Sequence, residues 1–230
     1  MAMWNAWHGC HKYSDGCTHC YIHKGDFKRG IDTNKIVKTA DFHKPIERKK
    51  NGEYKIKSGN LVYVCFSADF LIKQADEWRA ECWQMIKERA DLNFLFLTKR
   101  ITRFMNGIPA DWGDGYDNVI VGCTIENQST ADERLAIFDK LPIKHKNIIA
   151  QPLLEKIDIE KHLDGVKLVL VGGEQDKNAR PLHFEWVLCL KAQCKRHNVP
   201  FQFRQTGTHF LIDGKKSNKT ARELTQEFSL

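Results

Sequence analysis

Leu61-Val62-Tyr63-Val64-Cys65-Phe66 is a short apolar run whose residues suit a strand. Beyond it, from about Gln74 to Ala90, Trp78, Cys82, Met85 and Ile86 recur at the spacing of one helix face. Asn93-Phe94-Leu95-Phe96-Leu97 then returns to strand-like composition. Strand, helix and strand joined by short links specify parallel strands with a right-handed crossover. The pattern continues down the chain. Further strand-like runs are Asn118–Cys123, Asn147–Ala150, Lys167–Val171 and Pro200–Phe203, and helix-like stretches cover about Ser129–Leu141 and His183–His197. Asn127 or Ser129 is placed to cap the first of those helices. A short strand is expected near Trp4–Trp7. The expected fold is α/β: a partial or closed (β/α) barrel of about six to seven parallel strands, with a doubly wound open sheet as the alternative.

The chain has 230 residues, of which 42% are hydrophobic. That suits one α/β domain over 1–230 with a sizeable core. Residues 30–60 are polar and lysine-rich, with turn signals at Asn51-Gly52 and Ser58-Gly59-Asn60, and read as an irregular insertion or hairpin. A surface helix is expected from about Ser217. There is no internal repeat and no low-complexity tract. No apolar run is long enough to span a membrane. The chain opens without an apolar signal segment, so its 8 cysteines do not suggest a secreted disulfide scaffold. The expectation is a cytoplasmic protein with reduced thiols. Cys65, Cys82, Cys123, Cys189 and Cys194 fall within strand or helix patterns, and most of them read as buried structural cysteines. A net charge of +7 suits an anionic partner, a nucleotide or nucleic acid, and equally a mildly basic surface.

In a barrel, chemistry gathers at the carboxyl ends of the strands. Residues two apart on a strand share a face. Strand one then offers Tyr63, Cys65 and Ser67, with Asp69 just beyond. Strand two offers Phe94, Phe96 and Thr98, followed by Lys99-Arg100. Strand three gives Ile120, Gly122, Thr124 and Glu126, strand four Ile149 and Gln151, and strand five Leu170, Gly172 and Glu174. Strand six ends in Arg204-Gln205. The result is an apolar floor under a ring of hydroxyls, amides and carboxylates. Any one polar end is also an ordinary start of a loop; their recurrence argues for a pocket. Gly172-Gly173 lets a ligand or backbone come close.

Cys10, Cys17 and Cys20 stand together near the start, in Trp7-His8-Gly9-Cys10-His11-Lys12-Tyr13-Ser14-Asp15-Gly16-Cys17-Thr18-His19-Cys20-Tyr21. Three thiolates can hold three irons of a [4Fe–4S] cluster and leave the fourth open. Three thiolates with one imidazole, from His8, His11, His19 or His23, can instead close a tetrahedral zinc site. The C-x6-C-x2-C spacing leaves both open, along with an incidental group of thiols.

The opening Trp4-Asn5-Ala6-Trp7-His8-Gly9-Cys10, with Gly16-Cys17-Thr18-His19-Cys20-Tyr21, resembles a phage- and mobile-element-associated family of unknown function that carries a three-cysteine motif and is grouped with the radical SAM enzymes. Further matches are Ser67-Ala68-Asp69, Phe96-Leu97-Thr98-Lys99-Arg100, Thr124-Ile125-Glu126-Asn127, Gln151-Pro152-Leu153-Leu154, Val171-Gly172-Gly173-Glu174 and Phe203-Arg204-Gln205, so the resemblance covers nearly the whole chain. It departs where the family tends to carry a carboxylate at Gln151 and Ser-Gly at Gln175-Asp176. The loop between the first two cysteines is also longer than the commoner C-x3-C of radical SAM enzymes.

The resemblance implies a radical SAM-like domain in which Cys10, Cys17 and Cys20, on a loop spanning 8–23, hold a [4Fe–4S] cluster. S-adenosyl-L-methionine would bind the open iron and be cleaved reductively to a 5′-deoxyadenosyl radical. That radical would abstract hydrogen from a small substrate, with a nucleotide or modified base as the candidate class. Candidates for holding the cofactor are Ser67, Asp69, Thr98, Thr124, Glu126, Asn127 and Gln151; candidates for substrate are Glu174, Arg204 and Gln205. A reductant such as flavodoxin or ferredoxin would be a partner. The alternative is a non-catalytic zinc or Fe–S module that binds nucleic acid. A hydrolase or lyase on a barrel is a further rival, but no nucleophile elbow, P-loop or dinucleotide fingerprint is present.

Overall fold

A computed structural model describes residues 1–228. Its elements in chain order are β1 (Ala2–Trp4), β2 (Trp7–His8), α1 (Tyr21–Lys28), β3 (Val37–Lys38), β4 (Leu61–Val64), α2 (Asp76–Glu88), β5 (Asn93–Thr98), α3 (Phe104–Gly107), β6 (Val119–Ile125), α4 (Gln128–Phe138), β7 (His145–Ala150), β8 (Val166–Gly172), β9 (Leu182–His183), α5 (Phe184–Arg196), β10 (Phe201–Gln205), β11 (Phe210–Ile212), β12 (Lys215–Lys216) and α6 (Ala221–Phe228). Seven strands form one parallel sheet in the order β1-β4-β5-β6-β7-β8-β10. Every new strand joins the edge left by the one before. A doubly wound sheet reverses its order at a switch point; this one never does. With β1 and β10 as its edges, the sheet is a partial barrel and not a closed one.

Residues cluster into two compact units. One holds Met1–His11, Gly25–Gly122 and Leu141–His145; the other holds Lys12–Lys24, Cys123–Lys140 and the chain from Lys146 onward.

In the first unit, the register pairs Val62 with Phe94, Tyr63 with Leu95 and Val64 with Phe96. Trp4 pairs with Val64. Trp4, Val62, Val64, Phe94 and Phe96 therefore share one face, and all are fully or almost fully buried. Helix α2 covers it: Trp83 meets Phe96 edge to face, and Phe70 packs on both. Trp83 is the buried tryptophan of α2, while Trp78, expected on the inner face, is half-buried. The register also corrects the parity expected for the second strand. Phe94, Phe96 and Thr98 belong to the helix-covered face, and Leu95 and Leu97 continue the face of Tyr63. Both parities of this strand are apolar, so sequence alone leaves the register undecided.

Cys65 leaves the strand with φ 54°, a backbone conformation uncommon for a residue with a side chain. Its thiol is buried and pushed up to about 12 by that burial, which makes it inert and structural. Residues 30–60 carry only β3, a 3-10 turn at Lys44–Ile46 and a single bridge between Arg48 and Tyr54. Arg89, fully buried just beyond α2, fixes this insertion. Its guanidinium donates to the carbonyls of Pro45 and Ile56, pairs with Asp91 and lies 4.0 Å from the Tyr54 ring.

In the second unit, Ile148 pairs with Val169 and Ala150 with Val171, and Phe201 and Phe203 extend the same rows. The opposite face carries Ile149, Leu170 and Gln202. Asn127 caps α4, as expected: its side chain accepts from the Thr130 N–H, and the Thr130 hydroxyl closes the box. Phe184, Val187, Leu190 and Cys194 bury one side of α5, whereas Cys189 is half-buried and not in the core. A small sheet in the order β12-β11-β9, not expected from the sequence, takes in Lys215-Lys216. Helix α6 closes the described chain with Ala221 and Leu224 buried.

Candidate functional site

The cysteine loop is held at both ends, and each hold lies inside one unit. In the first, Gly9 must be glycine. Its φ is 102°, and a Cβ would lie 2.6 Å from the Lys35 carbonyl oxygen and 2.8 Å from that of Thr33. This close approach lets the Cys10 N–H donate to Thr33 O at 2.8 Å, while the Gly9 N–H donates to Ser67 O at 3.3 Å just past β4. Asp69, only 5% exposed, gathers the carboxyl ends of β4 and β5. It accepts from the Thr98 hydroxyl at 2.8 Å, from the N–H groups of Leu71 and Lys99, and from Arg100 Nη1 at 3.3 Å. Arg100 also donates to His11 O at 2.8 Å, and its Nη1 lies 4.0 Å from Cys10 Sγ. His8 adds a second anchor: its Nε2 meets both oxygens of the fully buried Asp26. Burial pushes the Asp26 carboxyl up, but hydrogen bonds from Thr33, Arg29 and His8 outweigh it and hold the carboxyl below its ordinary range.

In the second unit, Glu126 ends β6 with no exposed surface. It accepts from the Ser14 hydroxyl, from the Gly16 N–H at 3.2 Å and from Arg134 Nη1 at 2.6 Å. Glu174, just past β8 and 5% exposed, is gripped by Arg180 through Nη2 at 2.6 Å, Nε at 3.1 Å and the backbone N–H at 2.9 Å. Burial raises its carboxyl, but the Arg180 donors outweigh that and hold it low, and His19 acts in the same direction. Arg180 Nη2 reaches on to Asp15 O at 2.9 Å, and Lys24 pairs with Asp176 at 2.5 Å. Buried Cys17 ends the 3-10 turn Asp15–Cys17, and Cys20, half-buried, precedes α1. The Tyr21 phenol is pushed up by desolvation and then by Cys20, with Arg204 close enough to pull the other way, although Tyr21 as a whole is exposed.

The expected cofactor and substrate residues thus divide by what they already hold. Ser67, Asp69 and Thr98 tie strand ends to the loop in the first unit. Glu126 does so in the second and Glu174 only through Arg180, and Asn127 is spent as a helix cap. Gln151 and Gln205 converge over Gly172, where a Cβ would meet Gln151 Cδ at 2.9 Å and Gln205 Cγ at 3.1 Å. The close approach allowed by the glycine pair is therefore taken by the chain itself: at Gly173 a Cβ would lie 2.3 Å from Thr206 O. Gln205 Nε2 donates to Gly173 O at 2.8 Å, whereas Gln151 and Thr124 make no side-chain hydrogen bond among the described residues. Arg204 is exposed. Arg134, Arg180 and Arg100 are the residues that strand-end parity missed. Arg100 was legible as the polar end of a strand; Arg134 on α4 and Arg180 in a loop carried no sequence signal.

Among the described residues, no three His, Cys, Asp or Glu side chains form a group that could hold a metal ion. What the loop offers a cluster is donor chemistry: three thiols, with a guanidinium beside one of them. A cavity of about 420 Å³ in the second unit is lined by Gln128, Asp132, Asp158, Glu160, Lys161 and His197. None of these is a strand-end residue, and Glu160 is already paired with Arg196. No described helix is long and apolar enough to cross a membrane.

Fold and loop together define an α/β protein with a parallel sheet wound in barrel order and a cysteine-bearing loop tied to the carboxyl ends of its strands. The chain belongs to DUF5131, a protein family of unknown function, whose match covers residues 1–228. No curated protein and no solved structure matches it.

Proposed function

We propose that this chain is a radical S-adenosylmethionine enzyme whose Cys10, Cys17 and Cys20 hold a [4Fe–4S] cluster. The observation that carries the reading is where the loop is tied. Its first stretch is bonded to the ends of β4 and β5 in one unit, and its second to Glu126 at the end of β6 and, through Arg180, to Glu174 just past β8 in the other. Strand carboxyl ends are where barrel-type folds do chemistry. A structural zinc knuckle has no need of that location.

Bound there with S-adenosyl-L-methionine, such a cluster supplies one-electron reduction and radical generation. The chain's own residues orient and shield. Arg100 sets a positive charge beside the Cys10 sulfur and fixes His11 through its carbonyl. Asp69 holds Arg100 in place. Stacked Trp7 and Phe70, both fully buried, exclude water beneath the loop's first stretch. A small substrate or a nucleotide, and a small reductant protein, are the partners this reading requires.

The test is iron and sulfide analysis of anaerobically purified protein, with its visible spectrum. About four irons and a brown colour are expected, lost in Cys10→Ala, Cys17→Ala and Cys20→Ala but kept in Cys194→Ala. One zinc and no colour would replace this reading with the nucleic-acid-binding module. Iron unchanged in all three variants would sink the ligand assignment.

A further inference from the structure

We infer that Glu126 is the positioning residue of the turn that carries Cys17, spent on the protein and not on a ligand; the inference rests on the role proposed for that cysteine. Three donors converge on a carboxylate with no exposed surface: the Ser14 hydroxyl, the Gly16 N–H and Arg134 Nη1. Ser14 and Gly16 flank Asp15 at the head of the 3-10 turn, and Ser14 O accepts the Cys17 N–H at 2.8 Å. One side chain at the end of β6 thus fixes the start of the turn, and the turn fixes Cys17.

Arg134 completes the support. Its side chain is 3% exposed, it donates to Thr124 O at 2.7 Å, and its guanidinium lies 5.5 Å from the Tyr13 ring. A buried carboxylate persists when it is paired and its oxygens are hydrogen-bonded, and Glu126 meets both conditions inside the chain. A ligand approaching it would have to displace donors that the loop needs. Preorganising a sulfur in this way is what a metal-binding thiol requires of its surroundings.

Thiol reactivity in the metal-free, full-length protein tests this. Wild type, Ser14→Ala and Glu126→Gln are pulsed with iodoacetamide at one pH, and labelling of Cys17 and Cys194 is followed by mass spectrometry. Cys194 is the internal clock: it is fully buried in α5, with its thiol pushed up to about 12. The expected result is Cys17 labelling about tenfold faster in Ser14→Ala and faster still in Glu126→Gln, the scale of losing one charge-assisted hydrogen bond and of weakening all three of them in a local opening. Cys194 labelling should stay at the wild-type rate. Ser14→Ala leaves the Glu126–Arg134 pair intact, so it keeps the test alive if Glu126→Gln folds poorly. Cys17 labelling at the wild-type rate in Ser14→Ala, or rising only in step with Cys194, would overturn the inference. Because no metal is present, the outcome does not depend on whether Cys17 binds a cluster; iron loading of the same variants tests that separately.

Discussion

Replacing Glu174 with Gln tests the carboxylate that sequence parity assigned to substrate. The structure gives it three donors, all from Arg180: the guanidinium at 2.6 and 3.1 Å and the backbone N–H at 2.9 Å. Glutamine keeps one accepting oxygen, loses the charge and turns an NH2 toward a guanidinium. A hydrogen bond to a charged group contributes about 1.5–3 kcal/mol net. One such bond is lost and another weakened, but the Arg180 side chain is 35% exposed and water takes up part of the loss. The expected cost is about 2 kcal/mol, or a melting temperature lower by about 4–8 °C for a chain of this size. The pH dependence identifies the cause. The folded carboxyl is held below its ordinary value, so its contribution is complete above the unfolded pKa and is lost as pH falls through the folded one. Urea unfolding at pH 7.5 should separate wild type from Glu174→Gln by the full amount, and the gap should close below about pH 4. Equal stability at pH 7.5 would show that the carboxylate is not spent on Arg180. A gap that persists undiminished at low pH would show that the loss is steric and not electrostatic.

Two further substitutions test the frame around the loop. Arg89→Met leaves the buried carbonyls of Pro45 and Ile56 without their donor, at about 1–3 kcal/mol each; trypsin should then cut within 43–58 many times faster, and an unchanged cutting rate would count against Arg89 as the clamp of the insertion. Gly173→Ala drives a Cβ to 2.3 Å from the Thr206 carbonyl oxygen, whereas Gly172→Ala meets only the bendable side chains of Gln151 and Gln205; thermal unfolding should rank Gly173→Ala as the less stable, and the opposite order would refute the packing argument.

The winding of the sheet was legible because it rests on alternation. Six of the seven strands and the three main helices show their periodicity, and Asn127 gives its helix a cap that can be read directly. Register was not legible where both parities of a strand are apolar, and so Phe94 and Phe96 were assigned to the wrong face. The β12-β11-β9 sheet was hidden because its strands are two or three residues long and two of them hold no apolar alternation. The insertion was legible only as irregular. Its order comes from Arg89, a residue outside it whose burial no local pattern announces.

The candidate site shows a more general limit. Parity correctly brought Thr124, Glu126, Gln151 and Glu174 to strand ends, but it reports where a side chain starts and not what it has already bound. In the second unit the three carboxylates Glu126, Glu174 and Asp176 each meet a cation from the same chain, Arg134, Arg180 and Lys24. Two of those cations come from a helix face and a loop, where strand arithmetic does not look. Once these pairs are set aside, an acidic site is no longer the right electrostatic picture. The strand-end groups that remain uncommitted among the described residues are the Thr124 hydroxyl, the Gln151 amide and the exposed Arg204 guanidinium, none of them negative. Together with a net charge of +7, that remainder favours an anionic or neutral, amide-recognised partner over a cationic one.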